Sequence, residues 1–259
     1  MNSKRLASIL SLIAMAVGGV LIAMTRATAI VKEAPAGDKM VFALSLILTL
    51  VGFVMFIMSI VPHPQARKTD TRTLTLAALF AALCYIGFMI FKIDIPVGTE
   101  KTAFHLGNVF CVLAALFLGG FWGGMAGAVG MTIADLTSAY VTSAPKTFLL
   151  KLCIGLIVGL FTHGIFKISK EHSKAYITGA TMASCAAGMA FNVVADPLVG
   201  YFYKTYVMGV PQEIANAWAK MGAVTTLVNA IVAVICASIF YLALRPALKR
   251  SHLLGQEGR

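Results

Sequence analysis

Long apolar blocks alternate with short polar breaks along this chain. Eight blocks stand out, at 6–24, 41–61, 73–91, 104–118, 121–135, 147–166, 175–200 and 222–244. Most approach the roughly 20 residues that an α-helix needs to cross a hydrocarbon layer about 30 Å thick. None shows the period-2 alternation over about ten residues that marks a transmembrane strand, and a backbone in lipid must bond its own polar groups. The pattern predicts an all-α fold, a polytopic transmembrane helical bundle. The blocks at 104–118 and 121–135 are short. Between them, Leu118-Gly119-Gly120-Phe121-Trp122-Gly123-Gly124 permits a tight reversal, so two helices are expected there rather than one long one.

The polar breaks divide the charge unevenly. Alternate breaks hold Lys4 and Arg5; Arg67, Lys68 and Arg72; Lys167, Lys170 and Lys174; then Arg245, Lys249, Arg250 and Arg259, which is 12 of the 21 basic residues. The opposite breaks hold Glu33, Asp38, Asp94, Glu100 and Glu213, with fewer cations per loop. Basic loops stay on the cytoplasmic side, so eight crossings place both termini in the cytoplasm; one helix more or fewer spoils the alternation. The expected location is the bacterial cytoplasmic membrane. Lys4-Arg5, an apolar stretch and Ala27-Thr28-Ala29 imitate a secretory signal, but the stretch is long for one, and an uncleaved helix is expected. The polar, proline-punctuated linker from Pro62 to Arg72 separates a two-helix N-terminal extension, 1–66, from a six-helix membrane core, 67–259.

Composition supports lipid as the solvent. With 59% hydrophobic and 12% charged residues, the chain has too few polar groups to coat a water-soluble globule. A net charge of +11 raises the question of nucleic acid, but the cations cluster in short loops and the tail, with no basic groove or aromatic platform. Cys84, Cys111, Cys153, Cys185 and Cys236 lie inside apolar blocks without a CxxC pair, and read as small packing residues. There is no GxxxxGK[ST] phosphate loop, no HExxH and no GxSxG, and the five histidines lack metal-ligand spacing. Neither an enzyme nor a cofactor or metal site is expected.

Two features remain. Ala77, Ala78, Ala81 and Ala82 form two overlapping small-xxx-small pairs, and Gly119, Gly120, Gly123, Gly124, Gly127 and Gly130 extend the theme. Such residues allow close helix contact, either within this chain or with another membrane subunit. Polar residues inside apolar blocks are costly and hence informative: His105, Asn108, Asp135, Lys151, Asn192, Asp196 and Asn229. In the topology above, His105 and Asn108 begin an inward-running helix, Asp135 ends an outward-running one, and Lys151 lies early in the next. A polar substrate pocket in the outer half of the core is expected, with Tyr201 just beyond Asp196. The alternative is that these groups only pair with one another, Asp135 or Asp196 with Lys151 for instance. Lys146 is expected to be an interfacial anchor, and Asp196 before Pro197 to mark a bend or helix end. The expected loop 201–220, with Tyr201, Tyr203, Tyr206 and Trp218, reads as an aromatic belt or a lid.

The order Ile95-Pro96-Val97-Gly98, Phe104-His105-Leu106-Gly107-Asn108, Ala114 to Gly124, Gly130 to Leu136, Ala144-Pro145-Lys146-Thr147 and Lys151 to Gly159 resembles the substrate-binding (S) components of energy-coupling factor (ECF) vitamin transporters, riboflavin-type branch. The resemblance covers roughly 73–245. It implies a six-helix subunit that captures a vitamin or vitamin-like heterocycle from outside, of riboflavin, pyridoxine or pyrimidine-precursor type. It further implies docking on a transmembrane coupling subunit with two cytoplasmic ATPase subunits, through the first core helix at Ala77, Ala78, Ala81 and Ala82. The two helices preceding the core depart from that family. Competing readings are a proton-coupled secondary carrier using Asp135, Asp196 or Lys151, and a structural membrane subunit without ligand.

Overall fold

The computed structural model describes residues 70–250, together with Ile9, residues 11–18, Gly52 and Phe56. These N-terminal positions are helical. The rest of the helices expected at 6–24 and 41–61 lies outside the described residues. The chain divides into two compact units, Met1–Ile60 with Leu198–Ala219, and Val61–Pro197 with Lys220–Arg259. Each is described by itself.

The larger unit holds α1 (Thr71–Met89), a hairpin of β1 (Lys92–Val97) and β2 (Glu100–His105), α2 (Gly107–Leu118), α3 (Gly120–Leu136) and α4 (Ala144–Gly159), with most of α5 (Lys174–Phe202) and α6 (Gln212–Arg250). The fold is the polytopic helical bundle expected from the apolar blocks. Four helical stretches are long and apolar enough to cross a membrane: Thr71–Met89, Val141–Ile165, Lys174–Val207 and Gln212–Leu248. Asp70 caps α1, its side chain accepting from the Arg72 N–H at 3.5 Å.

The two short blocks are explained by burial. At about 1.5 Å per residue, the 12 residues of α2 span only ~18 Å, too little for a lipid-facing crossing. Every residue of α2 except Phe110 is buried, and the helix packs against α1, α3 and α4. A helix that is apolar all round belongs in the centre of a bundle, where its length need not match the lipid. Gly119, at φ +83°, turns the chain from α2 into α3 as its position between the blocks suggested.

The glycines of α3 are spent inside the chain. A Cβ at Gly123 would lie 2.3 Å from the Ala115 Cα of α2, and one at Gly130 would lie 2.1 Å from the Ala81 carbonyl oxygen of α1. Across α4, a Cβ at Gly155 would lie 2.2 Å from the Gly124 Cα, and one at Gly159 would lie 2.2 Å from the Gly120 nitrogen. Small residues thus let α3 touch three neighbours through backbone contacts.

Three local expectations are corrected. Residues 92–105 form an antiparallel hairpin, with Lys92 opposite His105 and Val97 opposite Glu100. His105 therefore ends a strand and does not begin a helix. The run Ile93-Asp94-Ile95-Pro96-Val97 alternates with period 2, and Gly98, at φ +64°, opens a two-residue reversal. That alternation is too short to register beside blocks of 15 residues or more. Second, α5 continues through Pro197 to Phe202 and then as a π-helical turn over Tyr203–Val207, so Asp196 marks no helix end. A proline deletes one backbone donor, and a helix set among others tolerates that loss. Third, the expected loop 201–220 shrinks to the residues between Val207 and Gln212, turned by Gly209 at φ +71°.

In the other unit, Leu198–Ala219 carries an aromatic cluster. The Tyr201 and Phe202 ring centroids are 5.3 Å apart, Phe202 stacks on Tyr206 at 5.9 Å, and the Lys204 ammonium sits 4.3 Å from the Trp218 ring.

Candidate ligand-binding site

At the hairpin end of the larger unit, the costly polar residues converge. Asn108 sits in the first turn of α2, Asp135 in the last turn of α3, Lys146, Thr147 and Lys151 at the start of α4, Asn192 and Asp196 late in α5, and Thr226 and Asn229 on α6. Pro145 opens α4 within its first turn, where the missing N–H costs nothing. The i, i+4 spacing then puts Thr147 and Lys151 on one face. Asn108, Asp135, Lys151, Asn192 and Asn229 are exposed by 2, 3, 6, 1 and 6%, so none is a solvated surface group.

Asp196 is the hub. Its Oδ1 lies 2.8 Å from the Lys146 ammonium, and its Oδ2 accepts from the Thr226 hydroxyl at 2.9 Å. One carboxylate thereby ties α4, α5 and α6 together. The expectation for Lys146 is corrected: it is an ion-pair partner within the cluster. The pairings expected of Lys151 do not form, since neither Lys151 nor Asp135 enters an ion pair among the described residues. Both still lie within electrostatic reach of each other and of Asp196. Thr147 places its hydroxyl beside the Asp135 carboxyl.

Several buried polar atoms have no hydrogen-bond partner: Asp135 Oδ2, Asn108 Oδ1, Asn192 Oδ1, His105 Nδ1 and Thr132 Oγ1. Leaving a buried acceptor unmet costs about 1–3 kcal/mol, so such a concentration at one end of a bundle is what a ligand would relieve.

Asn229 has a different task. Its Oδ1 accepts the His105 backbone N–H at 3.0 Å and its Nδ2 donates to the Ala103 carbonyl at 3.0 Å. One turn earlier, the Thr225 hydroxyl meets that of Thr102 at 2.6 Å. A two-stranded hairpin is marginal alone, and α6 supplies what it lacks. Behind it, Leu106 N–H donates to the Gly87 carbonyl at 3.0 Å.

An aromatic rim completes this end. Phe88 lies 4.7 Å from the His105 ring and 5.5 Å from that of Tyr140, with the Lys92 ammonium 5.6 Å from both Phe88 and Tyr140. The Tyr140 hydroxyl donates to Asp94 at 2.9 Å. Burial, then the neighbouring Asp94, hold that phenol above its usual pKa.

The structure therefore brings His105, Asn108, Asp135, Lys151, Asn192, Asp196 and Asn229 to one end of one unit, whereas Tyr201 belongs to the other unit. Sequence reasoning overlooked Lys146 as a partner, and also Thr226, Phe88 and Tyr140. Thr225, Thr226 and Asn229 recur at helical spacing in an apolar helix, a signal that was present.

A family model described as ECF-type riboflavin transporter, S component, matches residues 68–246, the whole of α1 to α5 and nearly all of α6. The chain belongs to this family. It is a substrate-binding subunit of an ECF vitamin transporter, a multi-pass membrane protein and not itself an enzyme. No curated protein and no solved structure matches the chain.

Proposed function

We propose that this S component takes a vitamin or vitamin-like heterocycle from outside the cell into the polar cluster at the hairpin end. The observation that supports this most is the set of buried, unpartnered atoms on Asp135, Asn108, Asn192 and His105, gathered around Lys151. Asp196 and Asn229 frame the site, the first across three helices and the second through the hairpin. Riboflavin, pyridoxine and a pyrimidine precursor are the candidate ligands. Tyr201 joins the proposed site from the aromatic segment.

The same reading places the hairpin end outside, the Arg67–Arg72 and Lys167–Lys174 segments in the cytoplasm, and the protein in a bacterial cytoplasmic membrane with both termini inside. Residues 1–66 then form a two-helix extension to a core at 67–259. The partners are a transmembrane coupling subunit and two cytoplasmic ATPases, since this chain has no phosphate-binding loop of the GxxxxGK[ST] kind. On α1, Ala77 is buried and Ala81 half-buried, whereas Ala78 and Ala82 are exposed beside Leu74, Leu79 and Ile86. The outward pair is the proposed docking face.

Mass spectrometry of small molecules that co-purify with the protein, followed by uptake in proteoliposomes, tests the proposal. A bound vitamin and uptake that requires the ATPase partners are expected. Uptake that persists without them and collapses with the proton gradient sinks it in favour of a secondary carrier.

A further inference from the structure

The charges at the hairpin end balance in a way that bears on what the site accepts. Lys146 and Asp196 satisfy each other at 2.8 Å, and at the rim Lys92 and Asp94 stand 4.0 Å apart. That leaves one cation, Lys151, and one carboxylate, Asp135, both buried and neither ion-paired. Whichever of the two holds the proton, their sum is zero. His105, an imidazole and so mostly neutral at pH 7, adds no fixed charge.

Resting on the receptor reading above, we infer that the site selects ligands of zero net charge that present a hydrogen-bond donor to Asp135 and an acceptor to Lys151. Asp135 Oδ2 has no partner and calls for an N–H or O–H. The Lys151 ammonium is donor-only and calls for a carbonyl oxygen or ring nitrogen. Asn108 Oδ1 and Asn192 Oδ1 add two more unmet positions for the same edge. A neutral heterocycle with amide, amino or hydroxyl groups meets all four without bringing in uncompensated charge. A phosphate monoester of the same heterocycle brings about two negative charges into a site with no spare cation, and burying an unpaired charge is far costlier than burying a dipole. The free alcohol form is therefore taken and its phosphorylated form refused.

The test uses the purified full chain in lipid nanodiscs. Binding is measured by calorimetry for riboflavin, pyridoxine and an aminopyrimidine alcohol, each beside its own monophosphate. At least one free form is expected to bind, with its ester roughly tenfold or more weaker. Asp135→Asn adds one positive charge and should narrow the ratio of ester to free affinity, whereas Lys151→Met removes one and should widen it. Opposite movements separate charge from simple lack of room, which would leave the ratio unmoved in both. Should one variant fail to fold, the direction of the other decides. An ester binding as tightly as its free form, or a ratio indifferent to the substitution, overturns the charge selection while leaving the receptor reading intact. Binding of none of the six compounds, in a protein that melts cooperatively, overturns the receptor reading and this inference with it.

Discussion

The Lys146 ammonium stands 2.8 Å from the Asp196 carboxylate, 50 residues away in sequence, and Thr226 bonds the other oxygen of that carboxylate. The side chains are 13 and 24% exposed, so the pair is neither fully dry nor freely solvated. Removing one partner strands the other. Asp196→Asn is expected to cost about 1–3 kcal/mol, below the range for a fully buried pair because water still screens this one. A double-mutant cycle with Lys146→Met, read by thermal melting in nanodiscs, should recover part of the loss; strictly additive effects would show that the two do not act together.

The contact of α3 with α4 has no room for a methyl group. Gly155→Ala is expected to destabilise by roughly 2 kcal/mol or more, because its Cβ meets the Gly124 backbone, which cannot rotate away. Gly179→Ala and Gly222→Ala are the controls, with nothing within 4 Å of either added Cβ. Both lie within helices and should be neutral or gain up to about 1 kcal/mol of helix propensity. Equal melting of the three variants would refute the tight contact.

The hairpin should loosen when its clip is removed. Asn229→Ala deletes the bonds to His105 N–H and the Ala103 carbonyl, while Thr225 still meets Thr102. Hydrogen exchange at residues 100–105 is expected to speed by about an order of magnitude, corresponding to ~1 kcal/mol per lost bond, with α2 unchanged. Unaltered protection there would mean that the strand stands without α6.

For docking, the two alanine pairs of α1 should behave differently. Ala78→Trp and Ala82→Trp place bulk on an exposed face and are expected to abolish co-purification with the coupling subunit while leaving ligand binding within about twofold. Ala77→Trp, at a buried position, should instead unfold the protein or lower its melting temperature sharply. Retained co-purification in both exposed variants would remove this face from consideration.

Sequence by itself determined the solvent, the number of core helices and the identity of most costly residues. Those properties are local: apolar length, the sign of loop charge and the price of a polar group in lipid can all be read one segment at a time. Even the reversal at Gly119 was legible, because glycines in that number between two short blocks have few other uses. Tertiary structure alone decided the partners. That Asp196 takes Lys146 and leaves Lys151 unpaired depends on how three helices lean together, which no spacing within one helix encodes. The same holds for α2, whose shortness becomes reasonable only once protein encloses it. The hairpin escaped notice because two strands of six residues are stabilised by Asn229 and Thr225, more than 120 residues away, and not by their own pattern. The glycines of α3 likewise read as contact surface, and only packing against Ala81, Ala115 and Gly155 showed that the contact is internal, leaving Ala78 and Ala82 as the outward pair.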